Sequence, residues 1–440
     1  MQELQPGRGE SRLRGARIFT AALTALVMLG GLLTYDRGHA VMQNYCAAPV
    51  YALIGVSMYR GDYRGNRLYL LGLFFVGWYA LTRMLNGDHY LQYSYNRYRL
   101  VSLSATYGLA LPFAHVLRDA KDRRALDALA LGLTATLAAL VGLALVSALL
   151  GRLIVIPFFQ SEFGMKESRL IILSQHPYFT AFISLAGFFM TLYLLSAHWK
   201  PLFLAPALLC LGVFTAGIVL TTSRTAFVVF AFTLVLAAMI LLSRLNLSRR
   251  RMRTLLLAGA AALLVAVVAG FGPLTRVISQ KISSIDPDST ATRSFFYKIT
   301  NLNGRLPLFT SVPLIIKHHP QALVKGFDEL EMMHVVNRYA TYEWFTHMHN
   351  SYLQTLMLTG LPGLLAAAWF TIKMFGAMAR ILKSKTAAAA EKLLTLIPLP
   401  LFLCGLTEHY LFVDTYSILN FLFFLFLGYL LETDRRLKTA

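Results

Sequence analysis

Residues 177–243 read PYFTAFISLAGFFMTLYLLSAHWKPLFLAPALLCLGVFTAGIVLTTSRTAFVVFAFTLVLAAMILLS, and Lys200 and Arg224 are the only charged residues among them. The stretch divides into apolar runs over 177–197, 201–221 and 225–243. Each approaches the ~20 residues that an α-helix needs to cross a hydrocarbon core. A backbone inside a bilayer has to satisfy its own polar groups, so helices are the expected spanning element. The runs do not alternate with the two-residue period of a lipid-facing β-barrel.

The rest of the chain extends this reading. Of 440 residues, 57% are hydrophobic and 14% charged, too few polar residues to coat a soluble protein of this size. Twelve spans are expected, at roughly 16–35, 43–59, 68–85, 98–117, 127–149, 177–197, 201–221, 225–243, 254–272, 353–372, 393–413 and 416–432. The first run is long for a signal peptide and lacks a clear cleavage site, so it reads as a signal anchor. With the N-terminus in the cytoplasm, the inside segments collect Arg8, Arg12, Arg14, Arg60, Arg64, Arg118, Arg123, Arg249, Arg250, Arg251, Lys383, Lys385, Arg435 and Arg436. The intervening loops are poorer in Lys and Arg, which follows the positive-inside rule and puts both termini in the cytoplasm. Much of the formal charge of +20 is thereby topological, and the remainder is available for substrate phosphates. A nucleic-acid partner, the first thought for a basic soluble domain, is not expected. Cys46, Cys210 and Cys404 all fall in apolar runs and show no metal-ligand spacing, so they read as packing residues.

The expected fold class is an all-α polytopic membrane protein of about twelve transmembrane helices, with a large helical loop outside the cytoplasm between spans nine and ten. Its parts would be residues 1–272, the inserted 273–352 and 353–440. Within the insert, Arg305 to His318 has apolar residues at helical spacing and is expected as an amphipathic helix, kinked at Pro307 or Pro313. Phe327 to Phe345 is expected as a second helix, and Arg152 to His176 has room for a short interfacial one.

Candidate chemistry gathers on the outer side. Arg224 stands in Thr222-Ser223-Arg224-Thr225 between two spans with almost no loop. Arg305 opens the amphipathic helix, and Arg169 precedes the return to the membrane at Gln175-His176-Pro177. Arginine suits a diphosphate because its planar fork stays charged and bonds bidentately. The ordinary alternative for each is an anchor or a solvated surface residue. His349 closes the polar segment in His347-Met348-His349-Asn350-Ser351-Tyr352-Leu353, at the start of a span. A helix N-terminus favours an anion and disfavours imidazolium, so His349 is the candidate general base. Asn350 is either a substrate contact or a plain helix N-cap. Arg338 and His347 are further candidates for donor or acceptor contacts.

Together these residues resemble the O-antigen ligase and polymerase superfamily. His349-Asn350 through Leu353, then Gly360-Leu361-Pro362-Gly363, is similar to its His-Asn-x-x-Leu … Gly-x-x-Gly signature. Ser223-Arg224-Thr225 is similar to its Ser-Arg element, and Gly304-Arg305 with His319-Pro320 and Gly326-Phe327 to its Gly-Arg … Pro-x-x-Gly element. Two departures stand out. Phe309 replaces a frequent tryptophan, and Pro177-Tyr178 replaces a frequent Pro-Asn, which puts a substrate role for that second element in question.

The resemblance implies a GT-C-like glycosyltransferase of the bacterial inner membrane working on the periplasmic side. Its donor would be an undecaprenyl-diphosphate-linked O-antigen and its acceptor lipid A-core, with membrane lipids around it. The transfer would be inverting and independent of metals and cofactors. Arg224 and Arg305 would clamp the diphosphate while His349 deprotonates the acceptor. Arg338, His347, Asn350 and Arg169 would contribute to substrate binding. An O-antigen polymerase is the nearest alternative. A lipid-linked sugar transporter or flippase is a second; transporters favour ionisable residues deep in the spans, whereas here they gather at the outer edge, and Glu408 and His409, which come close to an exception, lie near the outer end of their span.

Overall fold

The computed structural model describes residues 47–60, 67–86, 94–111, 123–156, 161–166, 169–173, 176–198, 200–243, 254, 305–340, 345, 347–413 and 417–439. In chain order the helices are α1 (Ala47–Arg60), α2 (Arg67–Leu85), α3 (Ser94–Ala105), α4 (Arg123–Leu149), α5 (Pro177–Ala197), α6 (Pro201–Leu220) and α7 (Arg224–Leu242). After them come α8 (Leu306–His318), α9 (Ala322–Lys325), α10 (Glu329–Ala340), α11 (Ser351–Lys383), α12 (Ala389–Leu394), α13 (Pro398–Gly405) and α14 (Ser417–Thr439). A buried π-helical turn, Thr106–Ala110, continues α3.

The expectation of twelve spans is overturned. Among the described residues, five helices are long and apolar enough to cross a membrane: Leu126–Leu149, Pro177–Ala197, Pro201–Leu220, Arg224–Leu242 and Ser351–Lys383. They support a membrane-embedded protein. The runs 16–35 and 255–272 lie outside the described residues. Elsewhere hydropathy overcounted because it does not register where a helix stops. The second expected span is a helix of 14 residues, and the fourth is 12 residues running into the π turn. The eleventh breaks into α12 and α13, with Pro398 and Pro400 at and after the break and a loop from Leu406 to Val413 beyond it. Helix α14 runs 23 residues, but Glu432, Asp434, Arg435, Arg436 and Lys438 crowd its last turns. The large loop set between a ninth and a tenth span falls with that count.

The fold is largely helical, as expected, with one small sheet among the described residues. Where an interfacial helix was expected, β1 (Ile154–Ile156), β2 (Ser161–Lys166) and β3 (Arg169–Ile171) form an antiparallel sheet in the order β1-β2-β3. The β-branched Ile154-Val155-Ile156 suits a strand. Ser147 at the end of α4 holds the sheet down: its hydroxyl accepts from Ile154 N (3.1 Å), and its proton serves the Phe163 carbonyl (2.6 Å) or that of Arg152.

Helix α5 is the best-buried of the apolar helices and packs against α4 and α6. Pro177 and Pro201 start α5 and α6, where a missing N–H costs nothing. Helices α8 and α10 pack together outside this group, with Leu308, Val312 and Ile315 of one and Met332, Val335 and Val336 of the other buried. Of the expected helix from Phe327 to Phe345, the described part is α10, which begins at Glu329. Pro307 sits in the first turn of α8 and Pro313 inside it.

Helix α11 is interrupted at Gly360, whose φ of 67° and ψ of −167° are not helical. The carbonyls released there are met by side chains. Trp78 Nε1 donates to Thr359 O at 2.7 Å, and Arg83, fully buried, donates to Leu358 O and to Phe327 O. The interruption is therefore a satisfied feature of the backbone.

Candidate active site

The N-terminus of α11 and the loop Leu406–Val413 are built against each other. Asn350 caps α11, its Oδ1 accepting from Tyr352 N (2.9 Å) and Leu353 N (3.0 Å), while its Nδ2 donates to Leu406 O (2.8 Å). Ser351 Oγ donates to Glu408 O (2.8 Å) and accepts from Leu411 N (3.0 Å). Gln354 Oε1 accepts from Met348 N (2.8 Å). Farther along the loop, Asn420 Oδ1 takes the N–H of Phe412 (3.1 Å), and Tyr107 of the π turn donates to the Phe412 carbonyl (3.2 Å). Each side of the loop thus has a polar tie that replaces a helical hydrogen bond, which explains why the expected eleventh span ends at Gly405.

These ties place Glu408 at the centre of the site. Its side chain is only 2% exposed, yet it carries two partners: Arg305 Nη2 at 2.5 Å and His349 Nδ1 at 3.2 Å. Arg305 Nη1 also donates to Thr407 O. A carboxylate paired with arginine is ionised and can only accept. His349 Nδ1 is therefore the donor of this contact, and Nε2 is the ring nitrogen that Glu408 does not engage. His349 has φ of 46°, a left-handed conformation for a residue with a Cβ, directly before the cap Asn350. Such conformations cost ~1–3 kcal/mol and persist where the surroundings fix them.

Aromatic rings surround this centre. The His347 ring lies 3.9 Å from that of His349 and stacks on that of His409 at 3.6 Å. His347 Nδ1 accepts from His349 N at 3.4 Å, which makes it the unprotonated nitrogen of a neutral ring. Burial, with His409 and His349 next to it, pushes the His347 imidazolium far below the usual histidine range, and burial does the same to His409. Both are neutral at ordinary pH.

The guanidinium of Arg305 lies over the Tyr178 ring at 5.9 Å, and the His176 ring stacks on that of Tyr178 at 4.6 Å. Arg169 and Arg224 are both in electrostatic reach of Tyr178, and of each other. Tyr178 thus joins the part of the site held by Arg305, Glu408 and His349 to the part holding Arg169 and Arg224. Ser223 caps α7 by accepting from Ala226 N (3.3 Å), and Thr222, at φ of 51°, turns the chain sharply into that cap. Arg224 is in this way held at the very start of α7.

Of the residues singled out by sequence, Arg169, Arg224, Arg305, His347, His349 and Asn350 gather around this centre. Arg338 is exposed on the last turn of α10, and none of the site's hydrogen bonds or ring contacts involves it. Glu408, His409, His176 and Tyr178 were not selected. The signal for Glu408 was present, because an acid amid apolar residues of a membrane protein marks function by default. Tyr178 was set aside because it departs from a family pattern. Among the described residues, no group of three or more His, Cys, Asp or Glu has the geometry to hold a metal ion.

The chemistry available is an acid that touches both an arginine and a histidine, beside two further arginines. That suits proton transfer next to a developing anion. No curated protein matches the chain. Residues 207–368, which include Arg224, Arg305 and His349, match the family model described as O-antigen ligase. Over those residues the chain carries an O-antigen ligase domain.

Proposed function

We propose that this protein transfers a glycan from undecaprenyl diphosphate to lipid A-core on the periplasmic face of the bacterial inner membrane. The O-antigen ligase domain supports an enzymatic, glycosyltransferase-like role acting on lipid-linked glycans. Our reading adds the chemistry. His349 Nε2 takes the proton of the acceptor hydroxyl as its oxygen attacks the anomeric carbon. The new C–O bond forms as the bond from that carbon to the diphosphate oxygen breaks, and its electron pair stays on the diphosphate. Arg305 and Arg224 stabilise that charge, the part that preorganised cations play at a leaving group. Attack from the face opposite the diphosphate inverts the anomeric centre. Arg169 and His347 line the same region, and Arg338 remains a candidate for contact with a longer substrate.

The observation that carries this reading is the unbroken contact Arg305–Glu408–His349, which sets the base beside the cation meant for the diphosphate. The test is complementation of a ligase-null strain by wild type and by His349→Ala, at matched membrane protein levels, with lipopolysaccharide read on a gel. A ladder restored by wild type and absent with His349→Ala is the expected result. Wild type that leaves lipid A-core bare but restores chain length in a polymerase-null strain would overturn it in favour of polymerisation.

A further inference from the structure

Glu408 lies beyond the matched residues 207–368, yet among the described residues it is the one acid that touches both working groups. Its two oxygens are divided: Oε1 on Arg305 and Oε2 on His349. Its backbone is fixed independently by Ser351 Oγ on its carbonyl, and the Asn350 amide holds Leu406 two residues before it. The carboxylate therefore cannot follow one partner without leaving the other. At 2% exposure, with Arg305 at 11%, water does little to screen the exchange.

We propose that Glu408 is a positioning residue that couples diphosphate binding at Arg305 to proton acceptance by His349. In the resting site Glu408 shares its charge between the arginine and the histidine. An arriving diphosphate competes with Glu408 for the Arg305 guanidinium. As Arg305 turns to the phosphate oxygens, the carboxylate charge falls more fully on the Nδ1–H of His349. That charge stabilises the imidazolium formed when Nε2 accepts the acceptor proton, as an orienting carboxylate does for a histidine base. The base is thereby strengthened only when a donor is in place. Before then, activation of a stray water or acceptor is suppressed. The proposal rests on the assignment of His349 and Arg305 given above.

The test uses the full chain in lipid nanodiscs, with Glu408→Gln compared with wild type. Binding of undecaprenyl diphosphate and single-turnover glycan transfer at saturating donor are measured separately. Because glutamine gives up the charge that competes for Arg305, diphosphate should bind more tightly, by about 5-fold or more, the lower end of ordinary coupling between sites. Transfer should fall by about 10²-fold or more. A merely structural role would lower both together, and that result overturns the proposal, as does any change in one measurement without the other. The neutral double variant Arg305→Gln with Glu408→Gln covers the case in which the single variant does not fold. It should bind the diphosphate no more tightly than Arg305→Gln alone, and tighter binding would overturn the coupling. Wild type that transfers no glycan at all defeats the assignment of function; wild type that transfers while the variants break this pattern defeats only the coupling.

Discussion

Gly326 and Gly360 each close on the backbone just before the other. A Cβ on Gly326 would meet Leu358 O at 2.6 Å, and one on Gly360 would meet Leu323 O at 2.7 Å. Both residues have positive φ, 65° and 67°, and Phe327 N donates to Met357 O at 2.6 Å between them. The contact clamps the segment after α8 to the interruption in α11, and so ties the helix that follows Arg305 to the helix that begins after His349.

Gly360→Ala and Gly326→Ala should therefore each destabilise the protein well beyond an ordinary surface change. The backbone conformation alone costs an alanine ~1–3 kcal/mol, and the backbone opposite has no flexible end to move aside. Thermal unfolding in nanodiscs should show a clearly lowered midpoint for both. Gly376→Ala, where the nearest atom is the flexible end of Arg380 at 3.4 Å, should sit near wild type. Equal midpoints for all of them would refute the clamp.

Asn350 offers a sharper dissection. Its Oδ1 caps α11 and its Nδ2 holds Leu406 O. Asn350→Asp keeps the cap acceptor but loses the amide donor, whereas Asn350→Ala loses both. Cap loss costs ~0.5–2 kcal/mol. Stability should fall in the order wild type, Asp, Ala. Transfer should already be reduced in the aspartate variant, because the loop carrying Glu408 loses a tie and gains a like charge. An aspartate variant with full activity would show that Asn350 serves the helix alone.

These two cases show what the sequence could and could not reveal. The quoted stretch 177–243 announced α5, α6 and α7 almost to the residue, because long apolar runs between Pro177, Pro201 and Ser223 leave the backbone few choices. The amphipathic spacing from Leu306 to Ile316 announced α8. The segment 393–413 was misread because its freed backbone groups take side-chain partners outside it, Ser351, Asn420 and Tyr107, and no pattern within the segment encodes that. For the same reason Glu408 was seen only as an oddity of composition. Arg83, which stabilises the break at Gly360 from 275 positions away, had no local signal at all. The Gly-x-x-Gly spacing was legible as close packing, but not as the contact with Gly326.

The stacked pair His347 and His409 predicts a pH dependence. Both are held neutral by burial, and the Arg305 guanidinium nearby also opposes protonation of either ring. Their folded-state pKa values are lowered below the ~6.5 of an unfolded histidine. Above that value neither state carries the protons and the folded protein loses nothing. As pH falls below it, the unfolded chain binds protons that the folded one refuses, and stability declines. The unfolding midpoint should be flat from pH 8 to 7 and drop progressively towards pH 5. His409→Asn should flatten that drop while lowering the midpoint at pH 8 through lost stacking. A midpoint that rises on acidification would contradict neutral rings.

Arg305→Ala and Arg305→Lys should separate charge from geometry. Alanine leaves Glu408 buried with its arginine gone, and removing one partner of a buried pair commonly costs ~3–5 kcal/mol. Lysine keeps the positive charge near Glu408, so much of that stability should remain. It cannot keep the fork, which at present reaches Thr407 O through Nη1 and Glu408 through Nη2. A point charge also grips a diphosphate without the bidentate geometry that arginine provides. The lysine variant should therefore unfold close to wild type while transferring glycan far more slowly, whereas the alanine variant should fail in both respects. Parallel melting and transfer assays in nanodiscs read the two quantities. A lysine variant with wild-type transfer would mean that Arg305 supplies charge alone, and that the fork between Thr407 and Glu408 has no part in the chemistry.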